Sequence, residues 1–289
     1  MKISEILESG RRGISFEVFP PKNSSSLDSI RAATEQIAAL RPTYMSVTYG
    51  AGGGTSKYTL DIAKNIEYSC SVPTLAHLTC VSSTRATVAE RVSELSAAGI
   101  QNIMALRGDM QRDREMILGE YHHAVDLIRE LRESGYDFCI GGACYPEVHP
   151  ESDSAESDIF YLKEKVDAGC SFLTTQMFFD NGLYYSFLDR ASRAGIGVPI
   201  VPGIMPITAI SQVERARTLS GSYMPKEFLA LAERFGDDPA AMCQAGIEYA
   251  SAQIEDLFGS GVKNVHVYTM NKPLVAESIM KNLCEMIDR

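Results

Sequence analysis

The first residue that could do chemistry is Glu17, which lies in the string Phe-Glu-Val-Phe-Pro-Pro at residues 16–21. A carboxyl group among aromatic and proline side chains is poorly hydrated, and loss of hydration raises a carboxyl pKa. Such a group can keep its proton near neutral pH and act as a general acid. An ordinary glutamate at a strand end, paired with a lysine or with solvent, explains the same string equally well.

A glycine-rich string follows Thr48 and Tyr49, with four glycines among residues 50–54. Glycines allow a ligand to approach the backbone closely. The spacing is neither that of a dinucleotide fingerprint nor that of a phosphate-binding Walker loop. A flexible connecting loop is an equally good interpretation of this string.

Charges of opposite sign flank a glycine at Arg107, Gly108 and Asp109. Arg107 could meet a phosphate or a carbonyl, and Asp109 could meet a cation or a hydrogen-bond donor. A local ion pair at the end of a strand is the alternative. The position of these residues directly after an apolar run favours a role at a site.

Residues 145–151 hold two prolines, two acids, Tyr145 and His149. The prolines restrict the loop, and the two rings can hydrogen-bond a ligand. His77 and Gln176 stand alone in apolar runs, where each is either a hydrogen-bonded core residue or a ligand contact. The five histidines share no metal-ligand spacing, so no metal site is expected.

The composition limits the class of protein. The chain has 289 residues, 45% of them hydrophobic, and a net charge of −10, which argues against nucleic acid as the main partner. The seven cysteines form no C-x-x-C pair and are expected to be reduced. No run approaches the roughly 20 apolar residues of a membrane span, and no signal peptide is evident. A cytoplasmic protein with a small-molecule substrate is expected.

Apolar runs typical of buried parallel strands alternate with amphipathic helical patterns along the chain. Eight such strand segments are predicted, at residues 13–19, 44–49, 74–80, 102–106, 138–145, 172–178, 198–203 and 264–269. This order predicts an α/β fold, a TIM (β/α)8 barrel with extra helices between strands 7 and 8, as one domain over residues 1–289. A doubly wound open sheet is the alternative. Because the polar strings all follow strands, the barrel is favoured, since its strand ends converge on one mouth.

Nine strings in the same order resemble the methylenetetrahydrofolate reductase family in its short bacterial form, which has the catalytic barrel only. They lie at residues 16–21, 46–51, 77–80, 106–109, 145–151, 165–169, 176–180, 202–204 and 268–271. Any one of them is modest evidence. The ordered set is specific and spans nearly the whole chain.

The resemblance implies an FAD-dependent oxidoreductase that reduces 5,10-methylenetetrahydrofolate by ping-pong hydride transfer. NADH or NADPH is the expected donor, with a partner flavoprotein or a ferredoxin as the alternative. It implies that Glu17 is the general acid towards N10 of the folate and that Asp109 stabilises the cationic iminium. It implies substrate contacts at Asp109, Gln176, Gln212, Tyr268 and Lys272. It implies FAD contacts at Thr48, Tyr49, Ala51, His77, Arg107, Gly108, Asp109, His123, Ala124, Tyr145, His149, Asp158 and Lys165.

The chain departs from the family pattern at three positions. His123 stands where many members have tyrosine, Glu164 where an arginine lies near the FAD phosphates, and Lys272 where an arginine meets the folate. Family members form homo-oligomers, dimers or tetramers, and the same is expected here, as is a place in methionine biosynthesis. Two other functions stay open, a non-redox barrel lyase and a non-catalytic reductase-fold subunit of a larger redox complex.

Overall fold

The computed structural model describes residues 1–21, 24–49, 56–81, 83–108 and 120–288. Within these ranges the chain forms nine strands, and every pairing between them is parallel. They are β1 Gly13–Val18, β2 Met45–Val47, β3 Thr74–Thr79, β4 Asn102–Leu106, β5 Cys139–Cys144, β6 Phe172–Thr175, β7 Ile200–Val201, β8 Gly203–Ile204 and β9 Asn264–Tyr268. The eight predicted segments are all present, and the seventh is divided into two short strands.

Helices follow the strands along the chain. In the described ranges they are α1 Ile3–Glu8, α2 Leu27–Ala38, α3 Ser56–Lys64, α4 Arg85–Ala97, α5 Ala124–Glu133, α6 Ala155–Asp167, α7 Asn181–Arg193, α8 Ile210–Ser220, α9 Lys226–Phe235, α10 Pro239–Gly259 and α11 Pro273–Asn282. A 3₁₀ turn, Ser24–Ser26, precedes α2, and a π-helical turn, Asn65–Ser69, extends α3. Among these helices none combines the length and the apolar character that a membrane span requires.

The sheet closes through the segment that contains β7 and β8. The strand order is β7-β6-β5-β4-β3-β2-β1-β9-β8, so β7 and β8 are the two ends of the sheet and adjacent in sequence. Pro202 separates them, and its nitrogen has no hydrogen to donate to a neighbouring strand. Its carbonyl still accepts a hydrogen bond of 2.9 Å from the backbone nitrogen of His266. The predicted TIM barrel is therefore confirmed, with its closing strand interrupted at a proline.

Alternate residues of each strand face opposite sides of the barrel wall. On β1, Phe16 and Val18 pack among the surrounding helices. Ser15 and Glu17 face the interior, where their side chains approach those of β9 and β2. The chemistry predicted for Glu17 therefore belongs to the inside of the barrel.

Apolar side chains fill the base of the interior. Helix α1 contributes Ile3 and Leu7, which pack with Met104 and Phe172 from the strands. Gly141 makes room for the aromatic ring, because a Cβ at this position would lie 2.5 Å from the ring of Phe172. The polar side chains of the interior are thus separated from solvent at the base.

Three helices, α8, α9 and α10, lie between β8 and β9, as predicted. They share an apolar cluster with the segment that follows β8. This cluster includes Phe179, Ile207 and Phe228. At Gly246 the backbone of α10 approaches the carbonyl group of Ile207 so closely that a Cβ would overlap it. This contact holds the segment that carries Thr208.

We predict that Gly246→Ala destabilises the protein by about 1–3 kcal/mol, the usual cost of forcing extra volume into a packed contact. The obstacle is a backbone carbonyl, which cannot turn aside like a flexible side chain. Gly259→Ala in the same helix is the matched control, because nothing lies within 4 Å of a Cβ there. It should be neutral or slightly stabilising. Urea unfolding of both variants checks this, and equal effects would contradict the proposed close packing at Gly246.

Candidate functional site

The Glu17 carboxyl group lies in a polar but uncharged part of the barrel interior. Its side chain is 9% exposed. Ser46 Oγ lies 3.5 Å and His77 Nε2 3.6 Å from the same carboxyl oxygen, Oε2. Burial raises the pKa of Glu17 to about 8, although the hydrogen bond from Ser46 lowers it. Glu17 therefore carries its proton at neutral pH and can donate it.

Two buried histidines lie near Glu17, and neither is positively charged at neutral pH. Burial lowers the pKa of His77 to about 4. Burial, together with the nearby His77, lowers the pKa of His266 to about 3. A neutral imidazole does not draw the proton from a carboxyl group as a cation would. The two rings therefore leave Glu17 protonated.

Three further polar residues of the interior escaped the sequence reasoning: Ser15, Ser46 and His266. His266 Nδ1 lies 2.8 Å from Ser15 Oγ, and His266 Nε2 lies 3.0 Å from Ser46 Oγ. A sequence pattern could have identified them, because polar residues two positions apart in an apolar strand face the same side of the sheet. Ser15 stands two before Glu17, and His266 stands two before Tyr268.

The string that follows β9 fixes the end of β1. Asn271 holds the backbone of Phe19 from both sides, since its Oδ1 accepts from the nitrogen at 2.7 Å and its Nδ2 donates to the carbonyl at 3.0 Å. Thr269 Oγ1 donates to the carbonyl of Glu17 at 2.9 Å. Met270 and Asn271 both adopt positive φ, which turns the chain back towards β1. This clamp positions Glu17 from the backbone side.

The loop after β5 is tightly organised around His149. The rings of Tyr145 and His149 meet edge to face at 4.5 Å. His149 Nδ1 accepts from the nitrogen of Glu151 at 3.0 Å, and the nitrogen of His149 donates to Asp158 at 3.3 Å. Val148 has a φ of 84°, a strained conformation for a β-branched residue. Strain of this kind persists where the surrounding structure imposes it.

Two cations flank this loop. The two terminal guanidinium nitrogens of Arg107 each donate to a carboxylate oxygen of Glu151 at 2.6 Å. Lys165 Nζ donates to the carbonyl of Ala143 at 2.6 Å, and burial lowers the pKa of this lysine. Gly108 has a φ of 91°, and a Cβ there would press against Val81 and Thr79. Two cations near one imidazole suit an anion such as a phosphate group.

A second cluster of polar side chains links the segment after β9 with α8. Lys272 Nζ donates to Thr208 Oγ1 at 2.7 Å. The amide oxygen of Gln212 accepts from the backbone nitrogen of Thr208 at 2.7 Å and from its hydroxyl at 3.2 Å. Two of the five predicted substrate residues, Gln212 and Lys272, thus both contact Thr208. Sequence reasoning missed Thr208, because nothing in its neighbourhood distinguishes it from a loop threonine.

The other predicted residues lie at or near the strand ends. Thr48 and Tyr49 follow β2, and His123 and Ala124 begin α5, where the carbonyl of His123 lies near Cys80. The Gln176 side chain accepts from the nitrogen of Met177 at 3.0 Å. Tyr268 donates to the carbonyl of Thr175 at 2.6 Å. Asp109 and Ala51 lie outside the described residues.

Candidate cofactor contacts follow from this geometry. Among the described residues no three His, Cys, Asp or Glu side chains are grouped to hold a metal ion. His77 Nε2 is buried and makes no hydrogen bond within the described part of the chain, so it can serve an organic ligand. The mouth therefore offers an acid, an unpaired imidazole nitrogen and a pair of cations.

Comparison with known proteins identifies one family over nearly the whole chain. A family model described as methylenetetrahydrofolate reductase matches residues 2–284. The chain belongs to the methylenetetrahydrofolate reductase family. The 5,10-methylenetetrahydrofolate reductase of Pectobacterium carotovorum is 35% identical over 274 residues, which cover 95% of this chain and 91% of that protein. The enzyme of the same name from Escherichia coli is 35% identical over 277 residues, with the same coverage.

Plant members of the family are longer. Methylenetetrahydrofolate reductase (NADH) 1 of Arabidopsis thaliana is 33% identical over 98% of this chain, and the chain spans 50% of that protein. Among solved structures, a Clostridium thermocellum protein described as binding two copies of 5-methyl-5,6,7,8-tetrahydrofolic acid has a TM-score of 0.70 and 14% identity, with 99% of both chains covered. A 2,3-dimethylmalate lyase has a TM-score of 0.52 and 12% identity, covering 99% of this chain and 85% of its own. These two share the fold.

We predict that Glu17→Gln makes the stability of the protein less sensitive to pH. The pKa of Glu17 is about 8 in the folded protein against an ordinary 4.5, so folding takes up a proton between these values. The free energy of unfolding of the parent therefore falls as pH rises, by up to about 1.4 kcal/mol per pH unit. Glutamine carries no such cost, so the variant should gain stability over the parent between pH 5 and pH 8.

Urea unfolding of both proteins at several pH values measures this difference. The pKa values of His77 and His266 are lowered, so their contribution to stability is lost as pH falls below about 6.5. That loss is common to both proteins and cancels in the comparison. A difference that stays constant from pH 5 to pH 8 would show that Glu17 is ionised in the folded protein.

Proposed function

We propose that the protein reduces 5,10-methylenetetrahydrofolate to 5-methyltetrahydrofolate with FAD as its cofactor. The observation that carries the proposal is a buried carboxyl group that is protonated at neutral pH, in a chain of the methylenetetrahydrofolate reductase family. This family has a reaction that needs an acid, because the five-membered ring of the folate must open before it accepts a hydride. Glu17 is the group able to supply that proton.

Residues of the mouth fit FAD by the chemistry of their donors. Arg107 and Lys165, with His149 near both, suit the phosphates, and Asp158 suits a ribose hydroxyl. The unpaired Nε2 of His77 suits a polar atom of the flavin ring. Thr48, Tyr49, Ala51, Gly108, His123, Ala124 and Tyr145 complete the proposed contacts. When bound, FAD would accept a hydride from a reduced nicotinamide and pass it to the folate in a ping-pong sequence.

Glu17 acts on the folate side of the reaction. Its contacts with Ser46 and His77 both fall on Oε2, so Oε1 is the oxygen proposed to face N10 of the substrate. Burial disfavours the ionised form of Glu17, so the carboxyl group is protonated when the substrate binds. General acid assistance of this kind is typically worth about 10²–10⁴-fold.

The remaining roles are carried over from the family. Asp109 would stabilise the cationic iminium that accepts the hydride, and Gln176 and Tyr268 would contact the pterin. Gln212 and Lys272 would hold the rest of the folate. NADH or NADPH is the proposed donor, and the name of the Arabidopsis thaliana relative includes NADH for that protein.

The wider assignment follows from the same family. We propose one catalytic domain over residues 1–289, since the family match spans 2–284 and the barrel spans 13–268. A cytoplasmic location agrees with cysteines that are free and mostly buried. The proposed assembly is a homo-oligomer, and the proposed place in metabolism is the supply of methyl groups for methionine.

Two half-reactions test the function and the role of Glu17 separately. Anaerobic mixing of the FAD-loaded protein with NADH or NADPH should bleach the flavin, and methylenetetrahydrofolate should restore its colour. We predict that Glu17→Gln leaves the first step largely unchanged and slows the second by about 10²–10⁴-fold. The parent should also lose folate reduction as pH rises through about 8, while its flavin reduction does not follow this profile.

Equal loss in both half-reactions would contradict the acid role, because the donor half-reaction needs no proton from Glu17. A purified protein that binds no FAD would contradict the reductase function and favour the lyase alternative. FAD binding without reduction of folate by the parent protein would instead favour the non-catalytic subunit.

Lys272 is predicted to bind the glutamate carboxylate of the folate. Lys272→Ala should weaken binding of the monoglutamate substrate by about 1–3 kcal/mol, the range for a hydrogen bond to a charged group. Lys272→Arg should bind it as well or better, because a guanidinium can engage both carboxylate oxygens. Isothermal titration measures both variants.

Thr208→Val is the matched control for this experiment. It removes the hydroxyl that Lys272 contacts and keeps the positive charge. Its effect on folate binding should be smaller than that of Lys272→Ala. Normal binding by Lys272→Ala would show that another basic residue meets the carboxylate.

A further inference from the structure

The buried imidazole of His266 has no part in the reaction proposed above, yet hydrogen bonds hold both of its nitrogens. Nδ1 lies 2.8 Å from Ser15 Oγ, and Nε2 lies 3.0 Å from Ser46 Oγ. Ser46 Oγ lies 3.5 Å from Glu17 Oε2. The contacts therefore run in order from Ser15 on β1 to His266 on β9, then to Ser46 on β2 and finally to Glu17 on β1.

The direction of the hydrogen bonds in this chain depends on one proton. A neutral imidazole carries a single N–H, and a serine carries a single O–H. If the proton is on Nδ1, Ser46 must give its own proton to Nε2 and turns a lone pair towards Glu17. If the proton is on Nε2, His266 donates to Ser46, and Ser46 is left to donate to Glu17 Oε2. Only the second arrangement stabilises a carboxylate at Glu17.

Ser15 can complete the second arrangement. Its hydroxyl can donate to His266 Nδ1 at 2.8 Å or to the carbonyl of Val265 at 3.2 Å. Because Ser46 donates to Glu17 Oε2, Nε2 must carry the proton that Ser46 accepts, and Nδ1 is then free to accept from Ser15. The ring itself is held in place, because Tyr44 stacks on it at 5.6 Å and Tyr268 meets it edge to face at 5.4 Å.

We propose that His266 is a positioning residue for Glu17, and that Ser15 sets the tautomer in which His266 makes Ser46 a donor to the Glu17 carboxyl group. The inference rests on the proposed acid role of Glu17. With Oε2 accepting from Ser46, the proton of neutral Glu17 resides on Oε1, the oxygen assigned to the substrate. The carboxylate formed after donation then keeps a hydrogen bond that is already in place.

Other groups also face Glu17 and His266. His77 on β3 approaches the same oxygen of Glu17 at 3.6 Å, and its low pKa keeps it neutral together with His266. Tyr268 on β9 lies near both, and burial raises its pKa well above 10, so it is also uncharged. The Ser46 hydroxyl is thus the contact to Glu17 whose direction depends on His266.

Ser15→Ala is the sharpest variant, because Ser15 contacts neither Glu17 nor the proposed substrate position. Loss of its hydroxyl releases the tautomer of His266, so Glu17 becomes a weaker acid. Its pKa, read from the pH profile of the folate half-reaction, should rise by about 1. The rate on the low-pH plateau should fall about three- to tenfold, and the deficit should shrink above pH 8. Flavin reduction by the nicotinamide should not change.

Two further variants separate positioning from damage to the fold. Ser15→Thr keeps a hydroxyl and should restore the parental pH profile. Ser251→Ala removes a similarly buried serine hydroxyl from α10 and should leave the profile unchanged. If Ser15→Ala does not fold, Ser46→Ala removes the donor itself and should raise the pKa of Glu17 in the same direction.

A readout without turnover keeps this inference distinct from the proposed function. Nitrogen-15 NMR of the histidine-labelled protein, with His266→Phe for assignment, should show the proton on Nε2 in the parent and a changed distribution in Ser15→Ala. Carbon-13 NMR of the glutamate carboxyls, with Glu17→Gln for assignment, gives the Glu17 pKa directly. A parental proton on Nδ1, or a Glu17 pKa that Ser15→Ala leaves unmoved, would overturn the inference. The expected NMR result in a protein that does not reduce methylenetetrahydrofolate would support the inference and contradict the proposed function.

Discussion

A carboxyl group separated from water and from positive charge is the constraint on which the rest of this site depends. The barrel surrounds Glu17 with hydroxyl groups and neutral rings, and burial itself keeps both histidines uncharged. One cation at hydrogen-bonding distance would reverse this balance and leave a permanent carboxylate. The cations described above lie elsewhere and are engaged, Arg107 with Glu151 and Lys165 with a carbonyl of β5. The interior thus keeps Glu17 protonated by excluding water and positive charge from its carboxyl group.

Much of the fold and part of the site could be predicted from the sequence. Apolar runs bounded by polar strings located the eight predicted strand segments, because strands covered on both faces need continuous apolar residues. The raised pKa of Glu17 was predicted in the right direction from an incomplete cause. Its neighbours Phe16 and Val18 point to the helices on the opposite face of β1 and do not cover the carboxyl group. The covering comes from the neighbouring strands inside the barrel.

The rest depended on register, which one sequence does not reveal. Ser15 and His266 are 251 positions apart and become partners only because β1 and β9 pair in one alignment, with Ser15 opposite His266. Thr208 is notable only because Lys272 and Gln212 contact it from other parts of the chain, and these contacts are visible only in the folded protein. The break at Pro202 was missed for a different reason. A proline inside an apolar run predicts an edge or an interruption, and the closing strand of a barrel is both.

That interruption leaves the barrel wall joined by fewer strand pairs at β7 and β8 than elsewhere. Two register pairs join β7 to β6 and two join β8 to β9, whereas β1 and β9 share five. The described residues proposed for the cofactor lie on β3, on the segments that follow β2, β4 and β5, and at α5 and α6. Three residues proposed for the folate lie on the other side of the barrel: Tyr268 on β9, Gln212 on α8 and Lys272 just before α11. In the proposed ping-pong sequence, one ligand would leave and another would enter while the cofactor stays bound. The few register pairs of β7 and β8 would let the residues proposed for the folate shift without moving those proposed for the cofactor.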